Sequence, residues 1–239
     1  MRKLPLSFRV GGIVVALVSL GAVISYLWLP HDPDASDFLM RFAAPSKEHL
    51  LGTDSFGRDL AARILVGARS ALWVGLVAVG IGFGIGTIVG VIAGYLSGRL
   101  ARVLMFVMDS LYSIPALLLA LLFAAAFGPG AIGAMIAVGI WAIPVFARLA
   151  RAGTLAVKSL PYIEASQALG GSHTRIMLRH IFPNVLGPLI VQASLIMAIA
   201  ILIEAALSYL GLGIQPPTAS WGRMLRDAQG FLHFSPYPT

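Results

Sequence analysis

The chain has 239 residues, of which 58% are apolar and only 11% are charged. A soluble domain carries about 25% charged residues, and disorder needs low hydrophobicity with high charge, so this composition excludes both classes. The sequence contains no cysteine, which excludes disulfides, thiolate nucleophiles and cysteine-ligated metals. We interpret the formal charge of +7 as a sign of membrane topology rather than of nucleic-acid binding.

Five apolar stretches are long enough to cross a bilayer as helices, which takes about 20 residues each. They are residues 11–29, 71–96, 103–127, 131–150 and 185–210. The predicted fold class is therefore an all-α, polytopic membrane bundle. The first stretch follows Arg2, Lys3 and Arg9 as in a signal peptide, but its apolar part is too long and no small-residue cleavage site follows. We expect it to be retained as a span.

Basic residues collect in alternate connections between the predicted spans. With the N-terminus in the cytoplasm, segments 1–10, 97–102 and 148–185 hold ten of the 17 basic residues and one acid. The segments on the other side, 30–70 and 211–239, hold seven basic and seven acidic residues. The positive-inside rule therefore favours a cytoplasmic N-terminus. Five spans would then leave the C-terminus outside, so we expect either an odd-numbered topology or a truncated chain.

The second span carries a glycine at every fourth position: Gly82, Gly86, Gly90 and Gly94. This spacing places the four glycines on one helix face, where their small size lets another helix approach closely. Packing within the chain and packing against another subunit are both open.

Two prolines and two acids interrupt the apolar runs. Pro115 and Pro144 lie inside the third and fourth spans, where each removes a helix hydrogen bond and favours a kink. Asp109 and Glu204 each lie about six residues from a span end. Because an ionised acid in a membrane is costly, each is a candidate for a role in the transport pathway or in coupling. The alternative is a hydrogen-bonded acid near the membrane interface.

The longest cytoplasmic connection, residues 151–184, contains the start and stop signals of two short helices. Pro161 suits the first turn of one helix, and Gly170 with Gly171 suits its end. Ser172 can cap a second helix, which Pro183 is expected to end. The predicted helix–turn–helix has a shape that fits a groove of a soluble partner; the alternative is an amphipathic loop without a partner.

This segment resembles the cytoplasmic signature of permease subunits of ATP-binding-cassette importers. Glu164, Ala165, Gly170 and Pro183 fall in register with that signature. Departures occur at Ser166, His180 and Phe182, and the ending resembles the form found in peptide and nickel permeases. A second Glu-Ala-Ala, which begins at Glu204, lacks the glycine of the signature.

Two further blocks resemble the C-type permease of dipeptide, oligopeptide and nickel importers. One spans residues 49–70 and the other spans residues 204–222. The resemblance implies an N-terminal part (residues 1–70) with the first span and a periplasmic loop, and a permease core (residues 71–239). The core would hold four spans, the coupling loop 151–184 and a truncated periplasmic tail, residues 211–239. Family members usually continue with a sixth helix, which we expect to be missing here.

The resemblance implies that ATP is hydrolysed elsewhere. No lysine follows a glycine, so the phosphate-binding loop of such ATPases is missing from the sequence. We expect no cofactor on this chain, with ATP and Mg²⁺ on two separate ATP-binding subunits. The other expected partners are a second, B-type permease, a periplasmic solute-binding protein and the lipid of a bacterial inner membrane, with no nucleic acid.

Site residues follow from the same resemblance. The residues expected to couple to the ATPase are Glu164, Ala165, Ser166, Gly170, Gly171, His180 and Pro183. In the periplasmic loop the candidates are Asp54, Arg58 and Asp59. Residues 58–69 are predicted to form a helix at the membrane surface. This helix receives a solute-binding protein, shapes the outer mouth or has a purely structural role. The five histidines, His31, His49, His173, His180 and His233, show no metal-ligand spacing, so no metal site is expected.

Other functions remain open at this point. A secondary transporter or channel would need embedded charges or inverted repeats, and would leave the cytoplasmic signature unexplained. A membrane enzyme would need a nucleophile–base pair or a ligand cluster. A truncated permease could also be inactive. The cargo is open among dipeptides, longer peptides, nickel chelates and glutathione-like compounds.

Overall fold

The computed structural model describes residues 5–231, and within that range the regular structure is helical apart from one isolated bridge between Thr53 and Asp59. The helices are α1 (Leu6–Leu27), α2 (Leu60–Tyr95), α3 (Arg99–Tyr112), α4 (Ala116–Phe127), α5 (Ala131–Lys158), α6 (Pro161–Ala168), α7 (His173–Ile176), α8 (Phe182–Tyr209) and α9 (Trp221–Gln229). A short 3₁₀ turn covers Phe38–Met40, and a π-helical turn, Met177–Ile181, joins α7 to α8. Arg2, Lys3 and His233 lie outside the described residues.

The predicted all-α membrane bundle is confirmed. Four helices in the described part of the chain are long and apolar enough to cross a membrane: α1, α2, α5 and the helix that runs through α7 and α8. The third predicted span, residues 103–127, is a pair of helices, α3 and α4, bent by 80° at residues 113–115. Together the pair is long and apolar enough for a fifth, broken span or a re-entrant loop. Pro115 stands at this break, where its ring cannot donate a helix hydrogen bond. By contrast, α5 continues through the buried Pro144.

Two predicted helix boundaries are wrong. Residues 60–69 form no separate surface helix, because they are the first turns of α2, whose 36 residues reach about 54 Å and exceed a bilayer core. Pro183 does not end the second helix of the cytoplasmic segment. The wide π turn directly before Pro183 accommodates a ring that cannot bond to the carbonyl four residues back, so the helical path continues from His173 to Tyr209.

The residues cluster into two compact units, each made of separate stretches. Unit 1 combines Met1–Val74, Gly128–Ala131 and Glu204–Thr239, and unit 2 combines Gly75–Phe127 with Ile132–Ile203. In unit 1, Trp221 lies against Gly67 of α2 and donates its indole N–H to the Ile64 carbonyl at 3.1 Å. Ser70 also donates to the Ala219 carbonyl, at 3.1 Å. These contacts tie the beginning of α2 to the segment around α9.

The glycine stripe of α2 lies in unit 2 and packs on α5. It consists of Gly82, Gly86, Gly90 and Gly94. A Cβ atom at Gly86 would collide with the carbonyl oxygen of Ile143, and one at Gly90 would collide with that of Ala147. The helices therefore meet backbone to backbone, as small residues permit in membrane bundles. In this chain the stripe serves packing between its own helices.

Candidate functional site

Three buried isoleucines hold α6 and the turn that follows it to the core of unit 2. Ile163 in α6, Ile176 in α7 and Ile181 in the π turn are fully buried. They belong to one hydrophobic cluster that also contains Phe146 of α5 and Leu189 of α8. Each fully buried isoleucine contributes about 1.5–3 kcal/mol relative to an exposed one. The short helix is therefore fixed to the long helices rather than hanging from them.

Tyr95, the last residue of α2, forms a polar link to the same segment. Its phenol lies 2.9 Å from Nδ1 of His173, and its carbonyl accepts a hydrogen bond from Lys158 Nζ at 2.6 Å. The Lys158 ammonium also lies 5.3 Å from the centre of the Tyr95 ring, within the range of a cation–π contact. These contacts connect the ends of α2 and α5 to the start of α7.

The opposite side of α6 and its turn is exposed. We call residues 161–172 the α6 turn. Leu169 is 89% exposed at its tip, beside Gly170, whose φ of +78° is the left-handed conformation that favours glycine at a helix end. Glu164, Ala165 and Ala168 are also exposed. The turn thus presents the large side chains of Leu169 and Tyr162, small residues and one carboxylate.

The structure brings most of the predicted coupling residues into this region but does not expose all of them. Glu164, Ala165, Gly170 and Pro183 are exposed, whereas Ser166, Gly171 and His180 are half-buried. Gly171 faces the Ser166 carbonyl so closely that a Cβ would lie 2.7 Å from that oxygen. The His180 ring lies edge-on to Tyr162, with the ring centres 6.2 Å apart. Leu169 and Tyr95 were not among the predicted site residues, because a lone leucine and a helix-end tyrosine carry no sequence pattern of their own.

In unit 1, Asp54 and Arg58 build a tight turn before α2. One carboxylate oxygen of Asp54 accepts the backbone N–H groups of Phe56 at 2.8 Å and Arg58 at 3.0 Å. The other oxygen pairs with the Arg58 guanidinium at 2.7 Å. Asp59 caps α2 by accepting the Ala62 N–H at 2.7 Å. All three predicted loop residues therefore have structural contacts.

The buried Arg63, which was not among the predicted site residues, extends this network. Its guanidinium donates to the Pro33 carbonyl at 2.9 Å and lies 3.6 Å from Asp34 and 3.8 Å from Asp54. The side chain is only 2% exposed. Because a buried charge needs partners, Arg63 holds the loop of residues 33–34 against the beginning of α2. Pro33 and Asp34 lie about 30 residues before Arg63, so local spacing gave no signal of these contacts.

Two histidines and an aspartate meet beside this turn, although the sequence predicted no metal-ligand cluster. His49 Nδ1 lies 2.9 Å from Asp59 Oδ2, and His31 Nδ1 lies 3.4 Å from the same oxygen. The two imidazole rings are 4.7 Å apart, centre to centre. Folding brings together ligands that are separated by long stretches of the sequence.

Glu204 is a buried, hydrogen-bonded acid of unit 1. Its side chain accepts the hydroxyls of Ser208 at 2.6 Å and of Ser220 at 3.0 Å, and Ser208 in turn accepts the Ile214 N–H at 2.9 Å. The residue is 2% exposed. This arrangement matches the hydrogen-bonded alternative and joins the end of α8 to residues 214–220.

We expect Glu204→Ala to destabilise the protein, because it leaves two buried hydroxyls without their acceptor. The loss should be about 1–3 kcal/mol of unfolding free energy. For a chain of this size that lowers Tm by about 2–4 °C per kcal/mol, measurable by thermal unfolding in detergent. Glu48→Ala, at an exposed loop acid, is the matched control and should leave Tm unchanged. Equal Tm values for the two variants would contradict a structural role of Glu204.

Asp109 is paired but exposed in unit 2. Its carboxylate lies 3.2 Å from Arg148 Nε, and the Arg148 guanidinium stacks 4.0 Å above the centre of the Tyr112 ring. Both charged side chains are exposed on this chain. The pair neutralises two charges between α3 and α5; the pathway role of Asp109 stays a prediction.

Comparison with known proteins identifies the relatives of this chain. Residues 86–236 match the family described as "Binding-protein-dependent transport system inner membrane component". A peptide transport system permease protein of Brucella suis is 43% identical over 225 residues, which cover 94% of this chain and 76% of the relative. The D,D-dipeptide transport system permease protein DdpC of Escherichia coli is 41% identical over a match that covers 92% of this chain and 74% of DdpC. The glutathione transport system permease protein GsiD of Salmonella typhimurium is 41% identical over a match that covers 99% of this chain and 78% of GsiD.

A solved structure shares the fold. One chain of the inward-facing MetNI methionine ABC transporter superposes with a TM-score of 0.59. The match covers 74% of the present chain and 84% of the MetNI chain. Its sequence identity is 21%, so the match supports the architecture of the helices.

Proposed function

The chain belongs to the family of binding-protein-dependent transport system inner membrane components, and we propose that it forms half of the pathway by which an ATP-driven importer moves peptides across the membrane. As a permease component it is a non-catalytic subunit. The observation that carries the coupling part of the proposal is the α6 turn, which is exposed at Leu169 and anchored by Ile163, Ile176 and Ile181.

The α6 turn is suited to receive an ATP-binding subunit. Leu169 offers an apolar anchor, and the small side chains of Ala165 and Ala168 allow a partner's backbone to come close. Glu164 adds a carboxylate for a polar contact. In a docked complex the small contacts around Leu169 would exclude water from it, as the surroundings of a binding hot spot do.

The anchoring of α6 explains how a docked ATPase would act on the membrane helices. Ile163, Ile176 and Ile181 share one packed cluster with residues of α2, α5 and α8. A displacement of the α6 turn is therefore passed to those helices rather than absorbed by a loose loop. ATP can shift the permease between two conformations only if the ATPase binds one of them better, and this connection transmits that difference.

The cargo we propose is a peptide. The relatives are named for peptide, D,D-dipeptide and glutathione transport, and these compounds share amide-linked amino acids. Nickel chelates remain an expectation from the sequence resemblance alone. The working complex would add a second permease, two ATP-binding subunits that hold ATP and Mg²⁺, and a solute-binding protein.

We place the chain in a bacterial inner membrane with its N-terminus in the cytoplasm. The support is the distribution of charge, since ten of the 17 basic residues fall on the proposed cytoplasmic side. The α6 turn is then cytoplasmic and accessible to an ATPase, whereas the loop that contains Asp54 and Asp59 faces the solute-binding protein.

Uptake measurements distinguish this function from a secondary transporter. The chain is reconstituted in vesicles with the subunits encoded beside it, and uptake of a labelled dipeptide is measured with its solute-binding protein. We expect uptake to require ATP and to survive ionophores that collapse ion gradients. Uptake that proceeds without ATP and stops with ionophores would contradict the proposal, and absence of peptide uptake would contradict the cargo.

A further inference from the structure

His31, His49 and Asp59 form a cluster with the composition of a transition-metal site. His31 follows α1, His49 lies in the loop before the Asp54 turn, and Asp59 precedes α2. One ligand atom from each residue lies within 4.8 Å of the other two. All three residues belong to unit 1, and none takes part in the coupling contacts of the α6 turn.

The distances from Asp59 to the two histidines suit a small tetrahedral ion. Zinc binds imidazole nitrogen and carboxylate oxygen at about 2.0–2.2 Å, so neighbouring ligands of a tetrahedral site lie about 3.3 Å apart. The two distances from Asp59 Oδ2, 2.9 Å to His49 Nδ1 and 3.4 Å to His31 Nδ1, bracket this value. A small outward shift of the His49 ring would admit the ion.

The polar atoms of the cluster are incompletely satisfied by the protein itself. Oδ1 of Asp59 caps α2, which leaves Oδ2 facing the two rings. Nδ1 of His31 is buried, and among the described residues nothing forms a hydrogen bond with it. A buried nitrogen without a partner is costly, and a metal ion bound by all three groups would remove that cost.

The nearest buried cation does not compete for the cluster. Arg63, one turn after Asp59, directs its guanidinium to Asp54, Asp34 and the Pro33 carbonyl. The Asp59 side chain, which is 1% exposed, is thus available to the two histidines.

We propose that His31, His49 and Asp59 bind a divalent first-row transition metal, with Zn²⁺ as the reference ion and water as its fourth ligand. Two imidazoles among three ligands favour such ions over Mg²⁺ and Ca²⁺, which prefer oxygen. The metal would tie the segment after α1 and the loop around His49 to the first turn of α2. Its role is therefore to order the outer loops of unit 1.

The test uses the purified full chain in detergent, with a tag that contains no histidine and after treatment with a chelator. Zn²⁺ binding is measured by titration calorimetry, and Co²⁺ absorption reports the ligand geometry. We expect one ion per chain, a tetrahedral Co²⁺ spectrum and a higher Tm when Zn²⁺ is present. His31→Gln and Asp59→Asn should each weaken binding by at least about tenfold.

The variants are chosen to keep the fold. Asparagine caps helices about as well as aspartate, so Asp59→Asn retains the cap at the beginning of α2. His31 is the more exposed of the two histidines, so its substitution disturbs the packing less. His173→Gln, in unit 2, is the matched control and should bind Zn²⁺ as the parent chain does. Absence of stoichiometric binding, or binding that both cluster variants retain, would overturn the proposal in favour of a purely hydrogen-bonded cluster.

Discussion

Substituting Gly90 with leucine is expected to prevent normal folding of the helix bundle. A Cβ at this position already collides with the Ala147 carbonyl oxygen, and it would lie 2.7 Å from the Ala150 Cβ. Because the obstacle includes backbone of α5, no side-chain rotation relieves it, and α2 and α5 must separate. Overpacking of a core costs about 1–3 kcal/mol, and we expect the upper end of that range or more here.

The matched control for Gly90→Leu lies on the same helix. Gly80 of α2 has no atom within 4 Å of an added Cβ, so Gly80→Leu adds the same apolar side chain without a collision. Size-exclusion profiles and thermal unfolding in detergent compare the two variants. We expect aggregation or a strongly lowered Tm for Gly90→Leu only. Two variants that both fold like the parent chain would refute the close contact of α2 with α5.

Replacing Leu169 with aspartate is expected to uncouple transport while leaving the chain folded. Leu169 is 89% exposed and contributes little to the core, so Tm should be unchanged. In the complex, an aspartate at the proposed apolar anchor would bury an unpaired charge against the ATPase. We expect retention of the ATP-binding subunit on purification and ATP-driven peptide uptake to fall by at least about tenfold.

An equally exposed leucine provides the comparison for Leu169→Asp. Leu39, in the loop of unit 1, is 95% exposed, and Leu39→Asp introduces the same charge away from the α6 turn. It should retain the ATPase as the parent chain does. If Leu169→Asp also retains the ATPase and full uptake, the α6 turn is not the docking site.

Prolines, glycines and capping residues predicted the starts, ends and breaks of the nearby helices well. Pro161 begins α6, Gly170 adopts the left-handed turn, and Ser172 caps α7 by accepting the Arg175 N–H. Each of these residues acts through its own backbone or its nearest neighbours, so its effect is visible in sequence. Pro115 likewise marks the break between α3 and α4.

Features that depend on distant contacts could not be predicted in this way. The π turn before Pro183 is held by Ile176 and Ile181, whose burial depends on α2, α5 and α8. The resemblance singled out Asp54, Arg58 and Asp59 as loop candidates, but it assigned no role to Arg63 and did not pair His31 and His49 with Asp59. Their partners are brought together by the fold, at separations that no local pattern records.

Crosslinking from the α6 turn tests the central claim most directly. Because the chain contains no cysteine, single cysteines can be introduced at Ala168 and, as the control, at Leu39. Each is loaded with a short thiol-linked photocrosslinker in membranes that hold the complete complex. The proposed docking and orientation predict an adduct with the ATP-binding subunit from position 168 and none from position 39. An adduct of position 39 with the ATP-binding subunit would contradict the account, as would the absence of that subunit from the adducts of position 168.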